Sequence, residues 1–186
     1  MTVRGRESSA FFLIGAVMPD QLRQLVRFLH EDVPENAACV DVLIESEGGS
    51  VAVALAMARL LKALPCPVRT WNLSNVDSAA IVVFAAGIDR FCAPGGGFFF
   101  HPVGREVVGA KTAEEFRKIA DEIDSDERQV AEFMAESTGS SAETWQVLMR
   151  TSRTMSAEEA MATGLAVGIR RPENFFKLKN GKDIPK

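Results

Sequence analysis

The sequence has few of the residues that bind metals or form disulfides. Only three cysteines and two histidines occur among its 186 residues. The cysteines lie far apart and form no Cys-x-x-Cys pair, which excludes a structural zinc site of the usual kind and predicts no bound metal. An odd, scattered set of cysteines is typical of a reducing compartment, so we expect a cytoplasmic protein. The three are Cys39, Cys66 and Cys92.

Long apolar runs and an excess of positive charge are also missing. The longest nearly apolar segment, 51–61, contains Arg59 and is too short to cross a bilayer. No small-residue cleavage site follows the apolar stretch 11–17, which argues against a signal peptide. The net charge is −4 and the isoelectric point is near 5.3, so no basic field favours nucleic acid. We therefore expect neither a membrane nor a nucleic-acid partner.

Strand-like and helix-like segments alternate through the first half of the sequence. Short apolar segments typical of strands stand at 11–16, 40–44 and 68–73, and helical patterns follow at Pro19 onward, 50–64 and 78–86. Shorter apolar segments at 90–93 and 98–100 predict two more strands. A strand–helix pair repeated three times predicts a parallel α/β core.

A long charged helix is predicted after residue 101. The capping-box pattern Thr112 to Glu115 begins it, and it extends over about 112–137. Its narrow apolar stripe could pack on a partner subunit or on the helix's own domain. The sequence pattern is compatible with both alternatives. The stripe consists of Phe116, Ile119, Ile123, Val130, Phe133 and Met134.

The remaining segments complete one domain, which we predict to cover residues 1–169. Capping boxes beginning at Ser140 and Ser156 predict two short helices, and 165–169 predicts a last strand. Residues 170–186 carry six basic side chains and are predicted to form a loosely held basic tail.

Two side chains are candidates for chemistry at the ends of predicted strands. Ser78 stands at a strand-to-helix turn, where it is either a helix cap or a nucleophile beside free N–H groups. His101 ends a predicted buried strand, and strand ends in parallel α/β sheets are where ligands bind. The pattern leaves a structural and a functional role open for His101. The other histidine, His30, lies near the end of an amphipathic helix, where a structural role is favoured.

A glycine pair precedes the second helix. Gly48 and Gly49 follow the strand 40–44, and glycine allows a strand to turn tightly into a helix. Alternatively, the N–H groups at this turn bind a carbonyl oxygen or a phosphate. No Gly-Lys-Ser/Thr follows, so the segment is not a P-loop.

Taken in order, these motifs resemble the ClpP family of proteolytic subunits. The resemblance covers about 11–169. Its motifs are IESEGG at 44–49, NVDSA at 75–79 with FAAG at 84–87, RFCAP at 90–94, FFFHP at 98–102, SAEEA at 156–160 and GL at 164–165. It implies a ClpP/crotonase-like α/β fold, a spiral of βαβ units with a protruding handle helix.

The resemblance also implies an activity and the residues that carry it. It implies a self-compartmentalising serine endopeptidase that degrades unfolded polypeptides without a cofactor. Ser78 would be the nucleophile and His101 its general base, and the N–H groups of Gly49 and Ala79 would form the oxyanion hole. The implied assembly is a homo-oligomeric ring whose partner is an ATP-driven unfoldase.

Two departures from the family pattern keep other functions open. The position of the family's triad aspartate is occupied by Leu148, which cannot orient an imidazole. Asp77 stands beside Ser78 where the family has a small residue. A catalytically weak or silent ring subunit with a structural or regulatory role is therefore the main alternative. An acyl-CoA enzyme of the related crotonase type is a further one, although no sequence feature demands a coenzyme A pocket.

Overall fold

The structure is a computed structural model that describes residues 8–172. Strands and helices alternate through its first half, as the sequence predicts. The strands are β1 (Ser8–Ile14), β2 (Cys39–Ser46), β3 (Val68–Val76), β4 (Asp89–Cys92), β5 (Gly97–Phe99), β6 (Thr154–Ser156) and β7 (Gly168–Ile169). The helices are α1 (Pro19–Glu31), α2 (Val51–Lys62), α3 (Ala80–Ala85), α4 (Ala113–Thr138), α5 (Ala142–Arg150) and α6 (Ala157–Ala162).

The sheet is parallel along its main path. Its strand order is β1-β2-β3-β4-β7, and β5 leaves this path to pair in parallel with β3 and antiparallel with β6. Seven of the eight residues of β2 are buried, as expected of a central strand in a parallel sheet. The predicted strand 165–169 is reduced to its last two residues, and of the predicted tail 170–186 all but 170–172 lies outside the described residues.

Helix α4 is half exposed and half buried. Its beginning is capped as predicted, because Thr112 and Glu115 exchange side-chain and backbone hydrogen bonds, and it ends at Gly139. The buried residues of its apolar stripe, Phe133 among them, lie in the second half, whereas Phe116 in the first half is 53% exposed. The stripe thus packs on its own domain at one end only.

A charged pair lies within the sheet. The carboxylate of Asp41, which is fully buried, accepts two hydrogen bonds from Arg69 at 2.8 and 2.6 Å and one from the indole N–H of Trp71 at 2.8 Å. Asp41 and Arg69 are directly opposite one another in the register of β2 and β3. A buried carboxylate requires such partners because it has lost its hydration.

A second buried cation ties distant parts of the chain together. The guanidinium of Arg90 donates to the carbonyl oxygens of Gly87 at 2.7 Å, Leu165 at 2.7 Å and Gly164 at 2.9 Å. Burial lowers the pKa of Arg90. The end of α3 is thereby joined to the turn that follows α6.

Candidate active site

Ser78 lies in the turn between β3 and α3. The structure corrects the predicted helix beginning at this residue, because α3 begins at Ala80 and Ser78 has φ +54°, in the left-handed region. A residue other than glycine is strained there, and such strain clusters at functional sites. The Ser78 N–H donates to the carbonyl oxygen of Phe99 at 2.8 Å, which holds the turn in place.

The glycine pair packs closely against this turn. Gly48 has φ +93°, and a Cβ placed on it would lie 2.6 Å from Ser78 Cβ and 2.7 Å from the carbonyl oxygen of Asp77. A Cβ on Gly49, at φ +148°, would lie 2.6 Å from the carbonyl oxygen of Val17. Both positions therefore require glycine for close approach as well as for their backbone angles.

Two backbone N–H groups at this turn have no hydrogen-bond partner in the part of the chain that the structure describes. Within residues 8–172, neither the N–H of Gly49 nor that of Ala79 donates a hydrogen bond. Ala79 is buried, and an unpaired N–H on a buried residue calls for an explanation, whereas Gly49 is an exposed residue to which this argument does not apply. Donors held in advance near a reacting serine are suited to bind an oxyanion.

His101 follows β5 and is half-buried. Its Nδ1 lies 2.8 Å from the carbonyl oxygen of Pro102. A carbonyl oxygen only accepts hydrogen bonds, so this contact assigns the ring hydrogen to Nδ1 and leaves the lone pair of Nε2 available as a base. Within the described residues His101 makes no hydrogen bond to Ser78 or to any carboxylate.

The four residues predicted for the site come together at one cavity of about 80 Å³. Gly49, Ser78, Ala79 and His101 all line it. The rest of the wall is mainly apolar and comes from α2, α3, α4, α5 and the segment after β5; it includes Val51, Ile81, Phe100, Met134, Trp145 and Met149.

The α5 side of this cavity has no distinctive signal in the sequence. Trp145 and Met149 lie four residues apart, so they share one helix face, but that spacing is equally typical of core residues. Leu148 on the same helix is only 9% exposed, belongs to the apolar core and does not line the cavity.

Within residues 8–172 no group of three or more histidine, cysteine or acidic side chains is placed to hold a metal ion. None of the helices in this range combines the length and the apolar composition that a membrane span requires.

Sequence comparison finds relatives among proteolytic subunits. ATP-dependent Clp protease proteolytic subunit 2 of Chlamydia trachomatis is 27% identical over 148 residues, which cover 77% of this chain and 70% of that protein. The protein of the same name from Corynebacterium diphtheriae is 27% identical over 155 residues, covering 73% and 77%. A model of the Clp protease family matches residues 7–173.

Structural comparison confirms the predicted ClpP/crotonase-like α/β fold. A point mutant of ClpP1 from Listeria monocytogenes superposes with a TM-score of 0.76 at 20% identity, covering 88% of this chain and 92% of that one. Together with a family match over nearly the whole chain, this likeness establishes that the chain belongs to the Clp protease family.

Proposed function

We propose that this protein is a serine-type endopeptidase subunit that hydrolyses unfolded polypeptides in the cytoplasm. The observation that supports it best is the convergence on one cavity of a strained serine, a histidine and two backbone N–H groups that are unpaired within residues 8–172. Each of these features has a part in acyl transfer, and their combination is more specific than any one alone.

The proposed reaction proceeds through an acyl-enzyme. Nε2 of His101 takes the proton of the Ser78 hydroxyl as Oγ attacks the carbonyl carbon of the peptide. The negative charge that develops on the carbonyl oxygen is bound by the N–H groups of Gly49 and Ala79. His101 then protonates the leaving amine, and water releases the acyl group by the reverse sequence. No cofactor takes part in these steps.

The lining of the cavity indicates which substrate side chains are preferred. Its wall beyond Ser78 is mainly apolar, with Met134, Trp145 and Met149 among its side chains. An apolar side chain of the substrate would be stabilised there by leaving water. We therefore expect cleavage to be favoured after apolar residues small enough for a space of about 80 Å³.

We propose that the chain acts within a homo-oligomeric ring, with residues 1–169 as a single domain and 170–186 as its basic tail. The exposed first half of α4, the handle helix, supports contact with another copy, because Phe116 is 53% exposed on an apolar stripe. An ATP-driven unfoldase is the proposed partner, since the sequence has no P-loop of its own.

Replacing Phe116 with aspartate is expected to weaken assembly at least about 10-fold, because a charge at an apolar contact loses its hydration without gaining a partner. Light scattering over a range of concentrations measures the mass. Lys118→Asp on the same exposed part of the helix is the control for charge, and it is the larger change because it removes a positive charge as well as adding a negative one. Equal masses for Phe116→Asp and wild type at every concentration would exclude Phe116 from the interface.

Fluorophosphonate labelling tests the proposed chemistry. We expect the wild-type chain to be labelled at Ser78, and the label to be lost in Ser78→Ala and strongly reduced in His101→Ala. Ser74→Ala, an exposed serine of β3, and His30→Ala, at the exposed end of α1, are matched controls that should label like wild type. A wild-type chain that stays unlabelled, or a label that survives in Ser78→Ala, overturns the proposal.

A silent or weakly active ring subunit is the second candidate function. Leu148 favours it, because this buried side chain stands where the family resemblance implies an aspartate, and no carboxylate within residues 8–172 bonds to His101. Loss of the aspartate function in a Ser-His-Asp triad, as worked out for another protease, lowers the rate about 10⁴-fold. Labelling without measurable peptide turnover would favour this candidate.

A further inference from the structure

The turn between β3 and α3, residues 77–79, carries the proposed nucleophile and is called the nucleophile turn below. Two of its residues, Asp77 and Ser78, hydrogen bond to the backbone of Phe99. Its carbonyl oxygen accepts the N–H of Ser78 at 2.8 Å, and its own N–H donates to Oδ1 of Asp77 at 2.8 Å. Within residues 8–172, the only ladder contact between β3 and β5 is the pair Asn75 and Gly97. Because β3 ends at Val76, the N–H of Phe99 has no strand partner there and donates to the Asp77 carboxylate instead.

Phe99 is in turn close to the proposed base. It lies two residues before His101, and the centroids of the two rings are 5.7 Å apart. A shift of the Phe99 backbone would therefore move the imidazole relative to Ser78. Because a misplacement of about 1 Å is enough to lower an enzymatic rate about 100-fold, this backbone must be held firmly.

We infer that Asp77 is a positioning residue, whose hydrogen bond to Phe99 keeps the His101 segment in register with Ser78. The inference rests on the proposed serine peptidase function. It assigns a role to one of the two residues at which this chain departs from the family pattern. Within residues 8–172 the Asp77 side chain makes no hydrogen bond to the Ser78 hydroxyl or to the His101 ring, so its proposed action is through the Phe99 backbone.

The pKa of Asp77 is raised overall, because burial disfavours the charged carboxylate more than its neighbours favour it. Burial raises the pKa of Asp77, whereas the N–H of Phe99 and the nearby His101 act in the opposite direction, and the carboxylate of Glu47 raises it again. The hydrogen bond from the N–H of Phe99 thus offsets part of the hydration that the half-buried carboxylate has lost. An asparagine offers the same acceptor oxygen without the charge.

The test compares Asp77→Ala with Asp77→Asn. We expect Asp77→Ala to slow fluorophosphonate labelling of Ser78 about 10- to 100-fold, the range for a lost hydrogen bond to a charged group. Asp77→Asn should stay within about threefold of wild type, because its side-chain oxygen still accepts the N–H of Phe99. Glu47→Gln removes a nearby negative charge that makes no hydrogen bond within the described residues, and it should label like wild type.

Hydrogen exchange supplies a readout that does not need activity. Amides of segment 97–103 should exchange faster in Asp77→Ala than in wild type and Asp77→Asn, with thermal midpoints otherwise alike. Unchanged exchange in Asp77→Ala overturns the inference, as does labelling of Asp77→Ala at the wild-type rate. If wild type is not labelled at all, the proposed function fails, and the exchange result alone decides whether Asp77 holds this segment.

Discussion

Replacing Gly48 with alanine is expected to lower the labelling rate of Ser78 at least about 100-fold. The new Cβ would lie 2.6 Å from Ser78 Cβ and 2.7 Å from the carbonyl oxygen of Asp77, closer than real Cβ contacts come. Because one of these neighbours is backbone, no rotamer change relieves the contact, and the nucleophile turn itself must move. The second-order rate of fluorophosphonate labelling measures the effect.

Gly139→Ala separates this contact from backbone strain. Gly139 is also left-handed, at φ +77°, but a Cβ there would have no atom within 4 Å. We expect it to lose about 1–2 kcal/mol of stability, the cost of a left-handed alanine, and to label at the wild-type rate. Labelling of Gly48→Ala at a rate similar to that of Gly139→Ala would show that the turn does not depend on the close approach.

Replacing Arg69 with methionine is expected to lower the free energy of unfolding by about 3–5 kcal/mol. The substitution keeps an apolar stem but leaves the fully buried carboxylate of Asp41 without its main partner. Asp41→Asn should be milder, at about 2 kcal/mol, because the Arg69 side chain is 34% exposed and its guanidinium can be hydrated. Denaturant unfolding at one fixed protein concentration measures both values.

An exposed ion pair is the matched control for this prediction. Arg23 pairs with Asp20 on α1, and their side chains are 71% and 78% exposed. Arg23→Met should change the free energy of unfolding by no more than about 0.5 kcal/mol, since exposed pairs contribute little. If Arg69→Met costs no more than Arg23→Met, the buried pair has no special part in stability.

Local signals predicted the helix boundaries well where the capping partner is close in sequence. The box formed by Ser156 and Glu159 is present in the structure as predicted. The box predicted to begin at Ser140 is wrong: Ser141 caps α5, and the hydroxyl of Ser140 donates to the distant carbonyl of Thr163. Ser140 and Ser141 could each cap this helix. The hydroxyl of Ser140 is bonded to Thr163, which is remote in sequence, and Ser141 is left as the cap.

The long-range contacts of the site could not be predicted from spacing. The motif order indicated the fold and the residues that meet at the cavity, whose chemical roles stay predictions. It gave no sign that the Asp77 carboxylate meets the Phe99 N–H, 22 positions away, or that His101 pairs with the Pro102 carbonyl. Such contacts depend on strand register and on side-chain rotamers, which a single sequence does not specify.

The three hydrogen bonds from Arg90 to carbonyl oxygens can be completed only late in the synthesis of the chain. As a chain emerges from the ribosome, β1 to β4 are complete by Cys92, yet two of the three acceptors arrive only with residues 164 and 165. Until then the cation must stay hydrated, so that edge of the sheet remains open to water. A nascent or prematurely ended chain therefore leaves the sheet beside Arg90 exposed, and exposed sheet surface of this kind makes partly folded chains prone to aggregate.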